Sequence, residues 1–239
     1  TTNSHRFFTD SGVEVPAVTA EQMREVDRIA SEETGPNLFQ MMENAGRNLA
    51  VLGEKWTASR LVVLAGSGGN GGGGICAARH LANRGIDVRL CLAEPDRLEE
   101  DPAFQRKIFR STRGREVDAA SLSAEPVDLI LDGLIGYGLR SAPRSPVAEL
   151  IRWANSTETP ILALDVPSGL DSTTGHRPGD YIQPHWTMTL ALPKTGLLPE
   201  RTGQLFLADI GIPEQTYRRL GLSYVNPFAK GFWVPFTCR

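Results

Sequence analysis

Two aspartates that end predicted strands are the first candidates for acid–base chemistry in this chain. Asp132 ends the apolar run that starts at Val127, and Asp165 ends the run that starts at Ile161. A single aspartate at such a place is usually a turn residue or a helix cap. Because both occupy equivalent places and both precede loops containing glycine, we expect them to act together in one cleft.

A glycine-rich run at residues 66–74 follows a third apolar segment, Leu61–Ala65, and precedes a helical pattern from Ile75 to Asn83. It contains Gly-x-Gly-x-x-Gly, which lets backbone amides approach a pyrophosphate. Glu94, after the next predicted strand, fits an acid for a ribose hydroxyl. A flexible turn without a ligand is the alternative, and the strand before and helix after the run favour nucleotide contact. The run lacks the Lys-Ser/Thr ending of a P-loop, which argues against a nucleotide triphosphatase.

Oxygen-bearing side chains collect at the same predicted strand ends. Asn70 lies within the glycine run, and Ser168 lies in the loop after Asp165. With Asp132, Asp165 and nearby carbonyls they supply hydroxyl, amide and carboxylate oxygens, which suit a hard cation, monovalent or divalent. Lys194 follows a later predicted strand, where contact with an anionic ligand and a solvated turn are about equally expected.

Composition excludes several classes of protein. The 239 residues contain 25 Lys and Arg against 28 Asp and Glu, so a net charge of −3 gives no overall basic field for nucleic acid. No apolar run reaches membrane-spanning length, and no apolar signal-peptide segment follows the first residues. The three cysteines and four histidines show no metal-ligand spacing. Few cysteines favour a reducing, cytoplasmic setting.

The elements that position these residues alternate between strand and helix. Thr19 and Gln22 form a capping-box pattern at the start of a first helix, which Gly35 and Pro36 end. The predicted strands are 61–65, 86–92, 127–132, 161–165, 186–192 and 204–208, and the predicted helices include 38–52, 75–83, 99–111 and 147–154. This alternation predicts an α/β fold with a mainly parallel sheet covered on both faces.

No linker or repeat divides the chain, so residues 1–239 are predicted to form one domain. Residues 1–17 have no clear period and are expected to be a loose arm. Residues 225–239 form a tail whose aromatic side chains are expected to pack against the domain or a partner subunit. Those aromatic residues are Phe228, Phe232, Trp233 and Phe236.

Several motifs occur together in a fixed order. They are Glu43-Asn-Ala-Gly46, the glycine run leading into Ala78-Arg-His-Leu81, Asp128-Leu-Ile-Leu-Asp132, Asp165-Val-Pro-Ser-Gly-Leu-Asp171, Lys194-Thr-Gly and Asp209-Ile-Gly-Ile-Pro213. Over roughly residues 18–213 this set resembles the NAD(P)H-hydrate epimerase family, the YjeF N-terminal domain. The resemblance implies a three-layer αβα Rossmann-like sandwich, a homodimer, and an isomerase that interconverts the R and S forms of C6-hydrated NADH and NADPH.

The resemblance also implies roles for individual residues. Asn70, Asp132 and Ser168 match the positions that bind potassium, and Asp165 is expected to be the acid–base residue, with Asp132 and the cation setting its surroundings. The substrate, NADHX or NADPHX, would contact Gly69, Asn70, Gly71, Gly72, Gly73, Gly136, Tyr137, Gly138, Leu139, Arg140, Asp165 and Lys194.

The chain departs from the family pattern in two places. Gly69 and Gly73 stand where the family usually has Asn and Asp, and Tyr137 stands where Thr is common. Three other functions therefore remain open: an isomerase or cyclase acting on another iminium or hemiaminal, a non-catalytic nucleotide-binding module, and a conventional NAD-dependent dehydrogenase. The last rests only on the Gly-x-Gly-x-x-Gly pattern.

Overall fold

The structure, a computed structural model, describes residues 5–57 and 59–239. Within these residues, ten strands form one sheet. They are β1 (Phe7–Thr9), β2 (Glu14–Val15), β3 (Arg60–Ala65), β4 (Asp87–Leu92), β5 (Arg115–Glu116), β6 (Leu129–Gly133), β7 (Ile161–Leu164), β8 (Trp186–Leu190), β9 (Gln204–Ala208) and β10 (Trp233–Cys238). Their order across the sheet is β2-β1-β10-β9-β8-β7-β6-β3-β4-β5.

Among the described residues, seven α-helices accompany the sheet. They are α1 (Ala20–Ile29), α2 (Leu38–Glu54), α3 (Gly69–Asn83), α4 (Glu100–Phe109), α5 (Val147–Ser156), α6 (Pro199–Thr202) and α7 (Glu214–Arg219). Thr19 and Gln22 form the expected capping box at the start of α1, which continues as a π-helical turn to Thr34. No helix in the described ranges is both long and apolar enough to span a membrane.

The seven strands from β9 to β5 pair in parallel, as the alternating pattern predicts. Successive side chains of a strand point to opposite faces, so each face needs its own apolar cover. Val63 and Leu131 pack in the cluster that contains residues of α2 and α3. Val62 and Ile130 pack with residues of α5. The expected α/β sandwich of three layers is therefore confirmed.

The order of strands reverses beside β3. The chain runs from β3 outward to β4 and β5, then returns to β6 on the other side of β3 and continues outward to β9. Such a reversal leaves a crevice at the carboxyl ends of the two central strands, because their following loops diverge. This crevice is where the two predicted aspartate loops and the glycine run meet.

The N-terminal segment differs from the loose arm expected from the sequence. Strands β1 and β2 extend the sheet in antiparallel pairing, and Phe7 and Val15 are buried. The ring of Phe7 lies 5.6 Å from that of Phe236 in β10. The backbones of Arg6 and Arg239 also exchange two hydrogen bonds, of 3.0 and 2.7 Å. These strands have only three and two residues, and β10, the second partner of β1, is remote in sequence, so local periodicity did not show them.

Most aromatic side chains of the C-terminal tail pack against the domain, as expected. Phe228 and Phe236 are buried, and Trp233 packs against the main core cluster. Phe232 differs from them, since 72% of it is exposed.

Most of the glycine run, from residue 69 to residue 74, is helical rather than a loop. Helix α3 begins at Gly69, so the prediction of a helix from residue 75 started it too late. A Cβ on Gly71 would lie 1.9 Å from the carbonyl oxygen of Gly66, and one on Gly72 would lie 2.5 Å from the sulfur of Met42. Close packing against backbone therefore demands glycine at position 71, although glycine disfavours helices by about 1 kcal/mol relative to alanine.

Candidate active site

A cavity of about 660 Å³ opens at the carboxyl ends of the central strands. Residues 66–70 line it after β3, residues 134–138 line it after β6, and Asp165 lines it after β7. Its size is that of a small-molecule site. Its charged side chains are Arg24, Asp27, Glu94, Glu99, Asp101, Asp165 and Lys194.

Asp165 directly follows β7 and has a backbone φ of 68°, in the left-handed region that residues with a Cβ rarely adopt. Its side chain is buried, and Oδ1 accepts hydrogen bonds from Thr189 Oγ1 and the Leu190 amide, both at 3.1 Å, and from Lys194 Nζ at 2.5 Å. Backbone strain of this kind concentrates at functional sites.

The second carboxylate oxygen of Asp165 has different surroundings. Among the described residues, no hydrogen bond is made to Oδ2, although Asp165 lines the cavity. One oxygen is therefore fixed by the protein, and the other is left to meet a ligand.

Lys194 is fully buried and completes this group. Its Nζ also donates to Thr189 Oγ1 at 3.2 Å and to the Leu190 carbonyl at 2.8 Å, and it lies 5.9 Å from the centroid of the Tyr137 ring. A buried ammonium is costly unless it is paired. Contact with Asp165 supplies that pairing, which excludes the solvated-turn alternative.

Asp132 is buried among neutral hydrogen-bond donors. It accepts from Ser168 Oγ at 2.5 Å, from the Ser168 amide at 2.9 Å and from the Leu134 amide at 3.2 Å. Burial raises the pKa of Asp132 to about 6, although the hydrogen bonds from Ser168 act in the opposite direction. Ser168 Oγ in turn accepts the Ile135 amide at 2.8 Å, so this serine joins the two strand-end loops.

Asn70 lies beside the loop after β6. A Cβ built on Gly136 would lie 3.2 Å from Asn70 Oδ1, and the buried Asn70 Nδ2 has no hydrogen-bond partner. The unsatisfied Nδ2 is a donor and would be met by an acceptor on a ligand, so Oδ1 is the atom of Asn70 that could meet a cation. The amide, the hydroxyl of Ser168 and the carboxylate of Asp132 are the oxygen types that a hard cation prefers, so these residues fit the predicted site.

Asp27 is a candidate that sequence reasoning missed. Its Oδ2 accepts a short hydrogen bond from the Tyr137 hydroxyl, and both residues line the cavity. Burial raises the pKa of Asp27, and the Tyr137 hydroxyl and the Lys194 charge oppose this shift. A usable signal was present, because Asp27 interrupts the apolar face of α1 formed by Met23 and Val26.

The other predicted contact residues divide into two groups. Gly69, Gly73, Gly136 and Gly138 line the cavity with Asn70 and Tyr137. Gly71 and Gly72 are buried in helix packing, and they do not line the cavity, nor do Leu139 and Arg140. The roles assigned to these residues as substrate contacts remain predictions.

Outside the cavity, Glu43, Cys76 and His80 bring potential metal-ligand atoms within 4.8 Å of one another. Sequence spacing did not show this cluster. Arg79 donates to both the Glu43 carboxylate and, at 3.3 Å, the Cys76 sulfur. The Arg79 guanidinium already contacts two of the three potential ligands, and burial raises the pKa of the Cys76 thiol, which disfavours the thiolate that binds a metal. We therefore interpret the cluster as an ion network that joins α2 to α3.

Comparison with known proteins shows the family to which this chain belongs. The profile described as "YjeF-related protein N-terminus" matches residues 38–196. This chain belongs to that family. YjeF-related proteins that resemble it include the NAD(P)H-hydrate epimerase of Dehalogenimonas lykanthroporepellens, which is 51% identical over 238 residues, covering 97% of each chain.

Some of the relatives are longer than this chain. The bifunctional NAD(P)H-hydrate repair enzyme Nnr of Hyperthermus butylicus is 40% identical over 210 residues, which are 83% of this chain and 39% of that protein. The crystal structure of yeast ynu0 superposes with a TM-score of 0.80 at 20% identity, covering 92% of this chain and 100% of that one. This likeness supports the fold.

Proposed function

We propose that this chain is an NAD(P)H-hydrate epimerase, an isomerase that interconverts the R and S forms of C6-hydrated NADH and NADPH. The observation that carries the proposal is the Asp165–Lys194 pair, which presents one unpaired carboxylate oxygen to the cavity. The names of the relatives agree with this activity. The small-molecule substrate is thus a hydrated nicotinamide nucleotide.

The substrate carbon C6 is a hemiaminal carbon, with a hydroxyl beside the ring nitrogen. Donation from that nitrogen expels the hydroxyl as water if a proton reaches it, which leaves a planar iminium that water can attack on either face. The Lys194 ammonium and the Asp165 carboxylate together hold one transferable proton. When the hydroxyl takes that proton through Asp165, the pair becomes one charge more negative and stabilises the cationic ring.

The predicted potassium ion fits the oxygen ligands of Asn70, Asp132 and Ser168. When bound, a monovalent cation supplies positive charge to the buried Asp132 carboxylate, which otherwise has neutral donors only. It would also hold the ends of β6 and β7 together, since Asp132 lies at the end of β6 and Ser168 lies in the loop after β7. Asp165 would then keep its position, because it begins the loop after β7 that carries Ser168.

The substrate's pyrophosphate would lie at the start of α3. The free amides of a helix N-terminus favour anions, and Gly69 and Asn70 line the cavity there. Glu94 also lines the cavity, in keeping with its predicted contact to a ribose hydroxyl. The homodimer and the cytoplasmic location remain predictions of the sequence.

The test is epimerisation of purified S- and R-NADPHX by the full chain, followed by chromatography, with potassium or with choline as the cation. We expect equilibration well above the spontaneous rate, and a faster rate with potassium. Failure to accelerate, in a folded protein that still binds NADPH, would contradict the proposal. It would favour the isomerase or cyclase alternative, for which the missing side chain at Gly69 leaves open space.

A further inference from the structure

Inversion at C6 places a demand on the site that Asp165 alone does not meet. Water leaves from one face of the nicotinamide ring, and the water that gives the other epimer must attack the opposite face. A side chain transfers a proton only to an atom within hydrogen-bond reach, so a carboxylate on one side serves one face. This reasoning rests on the proposed epimerase function.

We propose that Tyr137 and Asp27 form the second proton-transfer group, with Tyr137 in contact with the attacking water and Asp27 as the base behind it. The Tyr137 hydroxyl donates to Asp27 Oδ2, and both side chains line the cavity. They reach it from the loop after β6 and from α1, whereas Asp165 and Lys194 reach it from β7 and the segment after β8.

The two groups are close enough to act on one ring. Lys194 Nζ contacts Asp165 at 2.5 Å and lies 5.9 Å from the centroid of the Tyr137 ring. A planar ring in van der Waals contact on both faces needs about 7 Å, twice the usual contact distance of about 3.5 Å. Because 5.9 Å is shorter than this, the nicotinamide ring would lie beside the ammonium in the cavity of about 660 Å³, with C6 between Asp165 Oδ2 and the Tyr137 hydroxyl.

The proton balance of the second step is complete within the pair. As water attacks the iminium, its proton passes to the Tyr137 oxygen while the Tyr137 proton passes to Asp27. Tyr137 ends unchanged and Asp27 ends protonated. One full inversion therefore moves one proton from the Asp165–Lys194 pair to Asp27, and reverse turnover or exchange with solvent restores it.

Asp27 has the surroundings of a functional carboxylate. No ion pair is made to it within residues 5–57 and 59–239, and burial raises its pKa, which makes it a stronger base. Burial and the Asp27 charge also raise the pKa of Tyr137, so its hydroxyl keeps a proton to pass on. Ser172 Oγ holds the Tyr137 carbonyl at 2.9 Å, which fixes the backbone between Gly136 and Gly138.

The experiment separates loss of oxygen from inversion. Each epimer is incubated in water enriched in ¹⁸O, and label in the starting epimer and in its product is measured after chromatography, with an enzyme-free control. The key variant is Asp27→Asn, which keeps an acceptor for the Tyr137 hydroxyl but removes the base. Tyr137→Phe removes the proton carrier and keeps the ring beside Lys194.

We expect wild-type protein to label both epimers. In either variant, inversion should fall about 100-fold, while the epimer whose hydroxyl faces Asp165 still exchanges its oxygen with retention within a few-fold of the wild-type rate. The other epimer should lose both reactions, and Asp27→Glu should restore part of the inversion. A merely structural role would lower exchange and inversion together, and Asp27→Asn would be mild.

Normal inversion in both variants would overturn the inference, because solvent would then serve the second face. Equal losses of exchange and inversion for both epimers, in protein that unfolds in urea like wild type, would overturn it as well. Wild-type protein without epimerisation would instead contradict the proposed function itself. The two failures are therefore distinguishable.

Discussion

Asp165 and Asp132 are both buried aspartates at the ends of neighbouring strands, and they differ in what balances their charge. Asp165 contacts the ammonium of Lys194 at 2.5 Å and keeps one oxygen free of hydrogen bonds from the described residues. Asp132 has three hydrogen bonds from neutral donors, which occupy both of its oxygens.

This difference suits Asp165 to proton transfer and Asp132 to binding a cation. The protein supplies the counter-charge for Asp165, so its charge needs nothing from solution. Burial without a counter-charge raises the pKa of Asp132 to about 6. Near neutral pH that carboxylate is therefore ionised at a cost, which a bound cation offsets.

The largest expected effect is on turnover. Asp165→Asn keeps the shape of the side chain and an acceptor for Lys194 but removes the group that transfers a proton. We expect the rate of epimerisation to fall by about 10²- to 10⁴-fold, with NADPH binding within a few-fold of wild type. Asp180→Asn is the matched control, since Asp180 pairs with Arg152 on the surface. Near-normal turnover by Asp165→Asn would contradict the assignment.

The next effect is on stability at the same pair. Lys194→Met leaves Asp165 buried without its cation, which should lower the free energy of unfolding by about 3–5 kcal/mol. The double variant with Asp165→Asn should recover part of that loss, because no charge then remains. Urea unfolding of all four proteins measures the coupling. Strictly additive losses would show that the two charges do not stabilise each other.

Ser168→Ala tests the Asp132 side of the comparison. It removes the hydroxyl that joins Asp132 to the Ile135 amide, and we expect a loss of about 1–3 kcal/mol in the free energy of unfolding. The stabilisation by potassium should also decrease. Thr189→Val, on the Asp165 side, is the matched control and should keep the potassium response. Equal responses in the two variants would remove the distinction between the regions.

The smallest effect combines potassium with pH. The folded-state pKa of Asp132 lies above its unfolded value of about 3.9, so its protonation stabilises the fold fully below pH 4 and this stabilisation is lost as pH rises through about 6. A cation offsets the loss only where the carboxylate is ionised. At ten times its Kd potassium should add about 1.4 kcal/mol.

Melting curves in potassium and in choline at pH 7.5 and pH 5 measure this dependence. The gain from potassium should be about 1.4 kcal/mol at pH 7.5 and should fall to about 0.4 kcal/mol at pH 5, where few Asp132 carboxylates are ionised. A gain that is the same at both values, or that persists in Asp132→Asn, would place the cation elsewhere.

The sequence predicted the parts of the fold that local patterns determine. Apolar runs ending in Asp132 and Asp165 showed β6 and β7, and the Thr19–Gln22 pattern showed the start of α1. The convergence of the loops that carry Asp132 and Ser168 on one cleft also followed, since parallel strand ends meet at one edge of a sheet.

What could not be predicted depends on contacts between remote residues. Glycine at position 71 looked like a loop residue because its close approach to Gly66 is visible only in the folded chain. The hydrogen bond between Tyr137 and Asp27 joins residues 110 apart. The ion pair of Lys194 with Asp165 likewise depends on β8 lying beside β7, which no local pattern fixes.

The backbone contact between Arg6 and Arg239 has a consequence for the connectivity of the chain. A short linker between these residues would close the backbone into a ring, since two hydrogen bonds already hold them together. New ends could then be opened in the exposed turn at residues 110–114, between α4 and β5. Such a circular permutant should retain the contacts around Asp132 and Asp165, because neither the linker nor the new chain ends lie in the loops that form the cavity.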